Sequence, residues 1–408
     1  MEIEVLDIPL LERAASVWFN LYVNEFSTTY NVWGLVVKQS VVPDSLAPVV
    51  DAVSLAFFAR QFDYAPALPL AREKYSKALT SLRNSIESQP NGISDQTLLA
   101  MFLLDLFEKF TNHDPTPAPL WMGHVAGGVS LMSLRDRTGV QRSDSLALAT
   151  QLASNFLVSC MTAAQRVPPA LAQLRLTVSQ FFDTGDPRWK MSCVLVEICN
   201  LRAAVKEHEL PGIEIASRFN SLDQQAKALM ERFSLDWKPE RHMIEEPSER
   251  ILEMHYDTYP SHSVAQGMLL FSVTRVFLNH MVQEHSELDV APFRPHSVGP
   301  AETIEQIARV ICAALPPYTT ISRSDRARGD LMILRQMQCY TFIFTLYCVG
   351  FYLDHASPIR TWVIKQLHFM SSDLSVRNAR KVAEMLEAGD DTDPWALQNM
   401  LGSYGFLA

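Results

Sequence analysis

Glycine is scarce in this chain, and glycine-dependent motifs are missing. The 408 residues contain 15 glycines, about half of the usual share. Strands, tight hairpins and phosphate-binding loops rely on glycine, so its scarcity favours helices. No GxxxxGK[ST] loop is present and no GxGxxG follows a strand. A nucleotide-hydrolysing site and a dinucleotide-binding fold are therefore unsupported.

Metal-binding spacings are also missing. None of the six cysteines forms a CxxC pair, and none precedes Cys160. Each cysteine lies in an apolar run, which is typical of buried free thiols in an intracellular protein. HExxH is absent, and His280 and His285 are five residues apart, on different faces of a helix. We therefore predict no metal and no cofactor.

Basic charge is in short supply. The formal net charge is −10, and the densest basic stretch, residues 323–328, is diluted by aspartate. A protein that grips nucleic acid by itself usually has a basic face, so we predict no direct nucleic-acid binding. The longest apolar segment, residues 339–353, is short for a membrane span and lies between Arg335 and Asp354. We predict a buried core helix there and no membrane role.

Apolar residues recur at helical spacing along most of the chain. Hydrophobic residues make up 48% of the sequence and charged residues 20%, enough for a sizeable core. Leu11, Ala15 and Trp18 illustrate the spacing of three and four. Proline and glycine separate successive helical patterns, and strand alternation is nearly absent. The pattern predicts an all-α fold, a large array of about fifteen mostly antiparallel helices.

The predicted domain organisation is simple. Residues 286–300, SELDVAPFRPHSVGP, are polar and rich in proline, and they are a possible loop seam. Composition does not change across this seam. We therefore predict a single helical domain spanning residues 1–408.

A first cluster of polar residues lies at EMHYDTYPSH, residues 253–262. The spacing predicts a helix over residues 248–284. On such a helix Glu253 and Asp257 share a face while His255 points away. A metal site is one interpretation, and a solvated helix end before Pro260 is the one we favour.

Asp105, Glu108 and His124 form a second cluster. The two acids lie in an apolar helix pattern, and the histidine follows it. The two acids are three residues apart and share a helix face. A di-carboxylate metal site needs a second helix of the same kind, and an acid/base site needs a pocket and a nucleophile or substrate anchor. We favour a structural role, because a buried carboxylate needs a hydrogen-bond or charge partner.

Three consecutive helix patterns resemble the regulatory region of fungal zinc-cluster transcription factors. YSKALTSLRNSI, SDQTLLAMFLLDLFE and LWMGHVAGGVSLMSLRDRTG occur in the order and spacing of that family. The later segments LDWKP and YPSHSVAQGMLLFSVTRVF resemble another landmark, although Gln266 and Gly267 replace its usual Trp-Asn. The matching positions of the first three patterns are Tyr75, Ala78, Leu79, Leu82, Asp95, Leu98, Leu103, Leu104, Glu108, Trp121, His124, Gly127 and Leu131.

The resemblance implies a role for the second cluster, Asp105, Glu108 and His124. Glu108 and His124 recur as a pair in the family pattern, on adjacent antiparallel helices. We therefore predict a structural motif pair between Glu108 and His124. Asp105 has no counterpart in that pattern, and we expect it to face solvent or a helix end.

The resemblance also implies a function. Such regulatory domains restrain or license transcription, and the N-terminal six-cysteine cluster that reads DNA in the family does not occur in these 408 residues. We expect a nuclear, or else cytoplasmic, regulator of a metabolic or secondary-metabolite pathway that acts through other transcription regulators, self-association or a small apolar ligand. One alternative is an enzyme of secondary metabolism that reuses the helical fold, although a non-enzymatic role is favoured. Another is a dimerising adaptor or scaffold.

Overall fold

The structure, a computed structural model, describes residues 9–26, 44–88, 94–111, 119–133, 143–181, 183–286, 299–320 and 329–401. These segments are helical almost throughout, which confirms the predicted all-α fold class. The helices, in chain order, are α1 Leu10–Val17, continued as a π-helix over Trp18–Phe26, α2 Ala47–Gln61, α3 Ala67–Ser88, α4 Asp95–Thr111, α5 Pro119–Ser133, α6 Ser143–Ala163, α7 Pro169–Val178, α8 Pro187–Lys206, α9 Gly212–Glu231, a 3-10 turn Leu235–Trp237, α10 His262–Ser286, α11 Pro300–Ala313, α12 Pro316–Thr319, α13 Gly329–Tyr352, α14 Pro358–Ser372, α15 Ala379–Ala388 and α16 Pro394–Leu401.

Local sequence signals fix many helix ends. Proline occupies the first helical position of several helices, for example at Pro300 and Pro358, where its missing N–H is not needed. The hydroxyl of Ser94 accepts a hydrogen bond from the backbone N–H of Thr97 (3.1 Å), and so caps the start of α4. At the other end of a helix, α15 stops at Gly389, which has a left-handed backbone conformation (φ 67°).

The chain forms two compact units. The first contains residues 1–156 and 168–182, and the second contains residues 157–167 and 183–408. The prediction of one domain over residues 1–408 stays a prediction. The predicted seam falls between the end of α10 and the start of α11, and residues 287–298 of it lie outside the described residues.

The first unit is built around α2. This helix is apolar on nearly all sides, and it packs against α1, α3 and α4. Its Phe57 side chain is fully buried and meets the rings of Tyr22 and Phe110, with centroids 5.7 Å away in both cases. Burial of such aromatic side chains is a main source of stability in a helical core.

The second unit is built around α10 and α13, which pack against each other. Helices α9 and α11 also pack on α10, and α14 packs on α13. The predicted core segment at residues 339–353 lies within and just after α13, where Phe342 and Val349 are fully buried. The sequence therefore identified the central helix of this unit correctly.

One predicted helix boundary is wrong. Residues 248–261 are not helical, and the chain forms a two-stranded antiparallel sheet, β1 Glu240–Met243 with β2 His255–Thr258, in which Arg241 faces Asp257. The guanidinium of Arg241 donates to both oxygens of the Asp257 carboxylate, at 2.9 and 3.0 Å. The Asp257 side chain is buried, so a solvated helix end at this position is also wrong.

The loop between β1 and β2 is held by distant residues. The carbonyl oxygen of Glu249 accepts hydrogen bonds from the indole N–H of Trp362 (3.1 Å) and the amide of Gln366 (2.9 Å). The Arg250 guanidinium lies over the Phe369 ring. All three partners belong to α14, more than a hundred residues away in sequence, so a local pattern could not have predicted this loop.

One helical segment among the described residues has the length and composition to cross a membrane. It is Ser145–Ala163, with 19 residues, a mean hydropathy of 1.3 and 61% of the window buried. A single such helix is weak evidence, because the core helix of a globular protein meets the same criteria. The prediction of no membrane role stays a prediction.

Candidate ligand-binding cleft

Glu108 is held by a tyrosine on a neighbouring helix. The Tyr75 hydroxyl on α3 donates a hydrogen bond to Oε1 of Glu108 on α4, and the Tyr75 ring stacks on Phe107 with centroids 4.4 Å apart. Burial and the adjacent carboxylate raise the pKa of Tyr75 above its ordinary value. Tyr75 is one of the positions that match the family pattern, but its role as the partner of Glu108 was not predicted.

The predicted partner of Glu108 stays a prediction. His124 belongs to α5, and its side chain lies outside the described residues. The hydrogen bond from Tyr75 supports the structural interpretation of Glu108, because it gives a half-buried carboxylate a donor.

Asp105 does not face solvent, and that expectation is wrong. Its side chain is 1% exposed and forms an ion pair with Nζ of Lys109, 2.8 Å away. The side-chain amide of Asn155 donates to it at 3.5 Å. A buried carboxylate is stable only when its charge is compensated. Lys109, one helical turn further on, was the sequence signal for this pairing.

Nothing near these acids forms a metal site in the part of the chain that the structure describes. No group of three or more histidine, cysteine, aspartate or glutamate side chains there could hold a metal ion. The prediction of no metal and no cofactor is not decided by this finding and stays a prediction.

The departure at Gln266-Gly267 has a packing reason. A Cβ atom placed on Gly267 would lie 3.1 Å from the ring of Trp237. That ring also stacks on Phe271, with centroids 6.3 Å apart. The glycine on α10 lets the indole ring approach the helix backbone closely, and a Cβ atom there would require the ring to shift by a few tenths of an ångström.

The second unit contains an open cleft of about 500 Å³. This volume is within the range of small-molecule binding sites, roughly 300–1,000 Å³. It is contributed by the ends of α6, α8 and α13, the middle of α10, and the turn before α16. The lining residues are Thr162, Ala163, Ala164, Arg202, Val205, Lys206, Phe277, His280, Met281, Phe351, Tyr352, Asp391, Asp393 and Pro394.

Aromatic rings form much of the cleft wall. The His280 ring on α10 lies 4.5 Å from the Tyr352 ring at the end of α13, and Phe351 meets the Tyr352 ring edge-on at 5.1 Å. Burial lowers the pKa of His280 although the nearby Glu284 carboxylate opposes this shift. The imidazole is therefore mainly neutral at pH 7, and His280 adds an aromatic ring and no fixed positive charge to the wall.

Arg202 joins several elements at the cleft. Its guanidinium donates to the carbonyl oxygen of Met161 (2.8 Å) and to the carboxylate of Asp393. The same group lies over the rings of Phe277 and Trp395, 5.6 and 5.8 Å from their centroids. Its single positive charge is thus compensated by a carbonyl, a carboxylate and two aromatic rings.

The turn at residues 390–393 is ordered by its own side chains. Oδ1 of Asp390 accepts hydrogen bonds from the backbone N–H (2.8 Å) and hydroxyl (2.6 Å) of Thr392. These bonds lower the pKa of Asp390. The carbonyl of Thr392 accepts from the Tyr347 hydroxyl (2.9 Å), and Oδ1 of Asp393 caps α16 at the N–H of Trp395 (3.0 Å). Asp391 therefore lies between residues whose positions are fixed by these hydrogen bonds.

No local pattern identified the cleft. Arg202 and Asp393 are 191 residues apart in sequence, and the aromatic residues look like ordinary core positions at helical spacing. The tight turn GDDTDP was visible in the sequence, but its relation to α8 and α10 depends on the folded structure. The cleft can hold a small molecule that combines an apolar body with a polar group.

Comparison with known families gives one result. A family model described as the fungal specific transcription factor domain matches residues 27–292. This range is well over half of the chain and contains all the segments that carry the resemblance. No curated protein and no solved structure shows significant similarity to the chain.

Proposed function

The chain belongs to the family of fungal specific transcription factor domains, and we propose that it is the regulatory domain of a nuclear regulator of a metabolic or secondary-metabolite pathway. The family match over residues 27–292 carries this proposal. It supports a transcription-regulator-like role directly.

In this proposal the regulator acts by binding other proteins and not DNA. A chain of net charge −10 is poorly suited to bind DNA by itself. Other transcription regulators, or a second copy of this chain, would bring it to its target genes. The cleft of the second unit supports an additional input, since its volume of about 500 Å³ and its aromatic wall suit a small apolar ligand.

The direct test is to delete the gene and to measure transcripts and metabolites in the same cultures. We expect the transcripts of one pathway to change together and the pathway products to follow them. Unchanged transcripts with an accumulating intermediate would overturn the regulator proposal and would indicate an enzyme. A fluorescently tagged chain at the native locus tests the nuclear location.

Two matched variants test whether the cleft provides the input. Met281→Trp places a large ring in the cleft, while Gln283→Trp adds the same ring two residues further along α10, at an exposed position. We expect the first variant to lock the transcript level of the pathway in one state and the second to behave as the parent. Equal transcript responses in both strains would exclude the cleft as an input.

A further inference from the structure

Three helices of the chain end at the cleft. Thr162 and Ala163 close α6, Val205 and Lys206 close α8, and Tyr352 closes α13. The free carbonyl groups in the last turn of a helix carry a partial negative charge, equivalent to about half an elementary charge per helix. Three such ends add partial negative charge to the cleft wall, whose charged side chains are Arg202, Lys206, Asp391 and Asp393.

Two cationic side chains of the protein already bind the carbonyl groups at the end of α6. The Arg202 guanidinium donates to the Met161 carbonyl (2.8 Å), and the Lys206 ammonium donates to the Ala163 carbonyl (3.2 Å). Both acceptors lie in the last turn of α6. Arg202 also lies over two rings, and its charge is balanced by Asp393. The charge of Arg202 is thus compensated at the cleft by one carbonyl group, two aromatic rings and a carboxylate.

One carboxylate of the cleft is left for a ligand. Asp390 is occupied by Thr392, and Asp393 by Arg202 and by the end of α16. Asp391 lines the cleft, is exposed, and forms no ion pair with any residue in the described part of the chain. Lys206 is the opposing charge, and its ammonium is directed at the Ala163 carbonyl. Asp391 and the helix ends together favour a positive group over a negative one.

Building on the proposed ligand-dependent regulation, we propose that this cleft binds a small organic cation, an amine with an aromatic or alicyclic body. The body of the ligand packs against Phe351, Tyr352 and His280, and its ammonium lies at Asp391. Ring faces and a carboxylate attract a cation together, and each effect strengthens when water is excluded. A carboxylate ligand of the same shape would meet Asp391 and the three helix ends with repulsion.

Three probes with the same ring system test the assignment. Naphthylmethylamine is a cation at pH 7, naphthylmethanol is neutral and naphthoate is an anion. We expect isothermal titration with the full chain to give an amine affinity about tenfold above that of the alcohol, as expected for a partly desolvated cation–π and carboxylate contact. The carboxylate should bind most weakly.

Matched variants identify the groups responsible. Asp391→Asn should lower the affinity for the amine to that for the alcohol and leave the alcohol unchanged, while Asp236→Asn, an exposed aspartate outside the cleft, should change neither. Met281→Trp should abolish binding of all probes, and Gln283→Trp should preserve it. Since Asp391 and Asp236 are both exposed, misfolding of either variant is not expected, and circular dichroism checks this.

The outcomes separate the ligand class from the regulatory function. Equal affinities for the three probes, or tightest binding of naphthoate, overturn the cationic ligand and leave ligand-dependent regulation standing. Absence of binding by every probe overturns the cleft as a binding site for this class. Altered pathway transcripts in the Met281→Trp strain, measured separately, would still support regulation through the cleft.

Discussion

The hydrogen bond between Tyr75 and Glu108 joins two positions of the pattern that carries the family resemblance. We expect Tyr75→Phe and Glu108→Ala each to lower the free energy of unfolding by about 0.5–2 kcal/mol, because each removes a partner from a half-buried group. The double variant should then lose less than the sum of the two. Urea denaturation of the four proteins gives the coupling energy, which should exceed about 0.5 kcal/mol.

Two further cycles complete this test. The surface ion pair Lys77–Glu73 on α3 is exposed on both sides, and its coupling should be close to zero. A cycle between Glu108 and His124 measures the pair predicted from the sequence. The structural role would be wrong if Glu108→Ala lowered the metal content of the purified chain while its melting temperature held.

His262 links the stability of the fold to pH. Both of its ring nitrogens are buried, and its ring meets that of Tyr318 at 5.2 Å. Burial, with a smaller contribution from the charge of Arg335, lowers the pKa of His262 to about 3. In the unfolded chain the pKa is about 6.5. Between these values the unfolded state binds a proton that the folded state does not.

The stability of the parent chain should therefore fall as the pH drops below about 6.5, by up to about 1.4 kcal/mol per pH unit from this group. We expect His262→Gln to have a shallower slope of unfolding free energy against pH, measured by urea denaturation between about pH 6 and pH 4. His355→Gln, at an exposed position, is the control and should keep the parent slope. Equal slopes for both variants would contradict the assignment.

Helices whose ends carry local signals were predictable, and elements that depend on distant partners were not. The apolar spacing predicts helices over residues 143–163, 187–207, 300–315 and 358–371, and α6, α8, α11 and α14 agree with these ranges to within two residues at each end. Proline or serine starts each of these patterns. The strand at His255–Thr258 was missed, since Arg241 and the α14 side chains that donate hydrogen bonds to the Glu249 carbonyl lie outside the local window. The buried pairing of Asp105 was likewise missed, although Lys109 stands four residues away.

The contact between α13 and α15 depends on a glycine. A Cβ atom on Gly350 would lie 2.6 Å from one methyl carbon of the buried Leu386 and 3.0 Å from the other. We expect Gly350→Ala to destabilise the chain by about 1–3 kcal/mol, because overpacking costs more than the gain of about 1 kcal/mol in helix propensity. Thermal unfolding followed by circular dichroism measures the change.

The matched control is Gly123→Ala on α5. Gly123 is exposed, and a Cβ atom there would have no heavy atom of the described residues within 4 Å. Only helix propensity acts at this position, so the variant should be more stable by up to about 1 kcal/mol. In the Gly350→Ala protein, a second change, Leu386→Ala, removes the clash with the new methyl group but leaves a cavity. The double variant should recover much stability if the clash costs more than the cavity, and little if the cavity costs more. Stabilisation by Gly350→Ala itself would show that the helices do not pack as described.

The charge of the whole chain bears on how it would act on genes. With 35 basic and 45 acidic residues, the formal net charge is −10. A protein that contacts DNA phosphates releases counterions, and the salt dependence of its affinity counts those contacts. If this chain binds its targets only through partners, it should add no phosphate contact of its own.

A fusion to a DNA-binding zinc-cluster domain from another protein tests this expectation. The affinity of the fusion and of the isolated domain for the same duplex is measured by fluorescence anisotropy at several salt concentrations. We expect the slope of log affinity against log salt to be the same for both, and the 408-residue chain alone to give no binding. A steeper slope for the fusion would reveal a basic face assembled from distant residues, since each added phosphate contact steepens the slope by about 0.9. That result would mean that the regulatory domain takes part in DNA binding directly and does not act only through its partners.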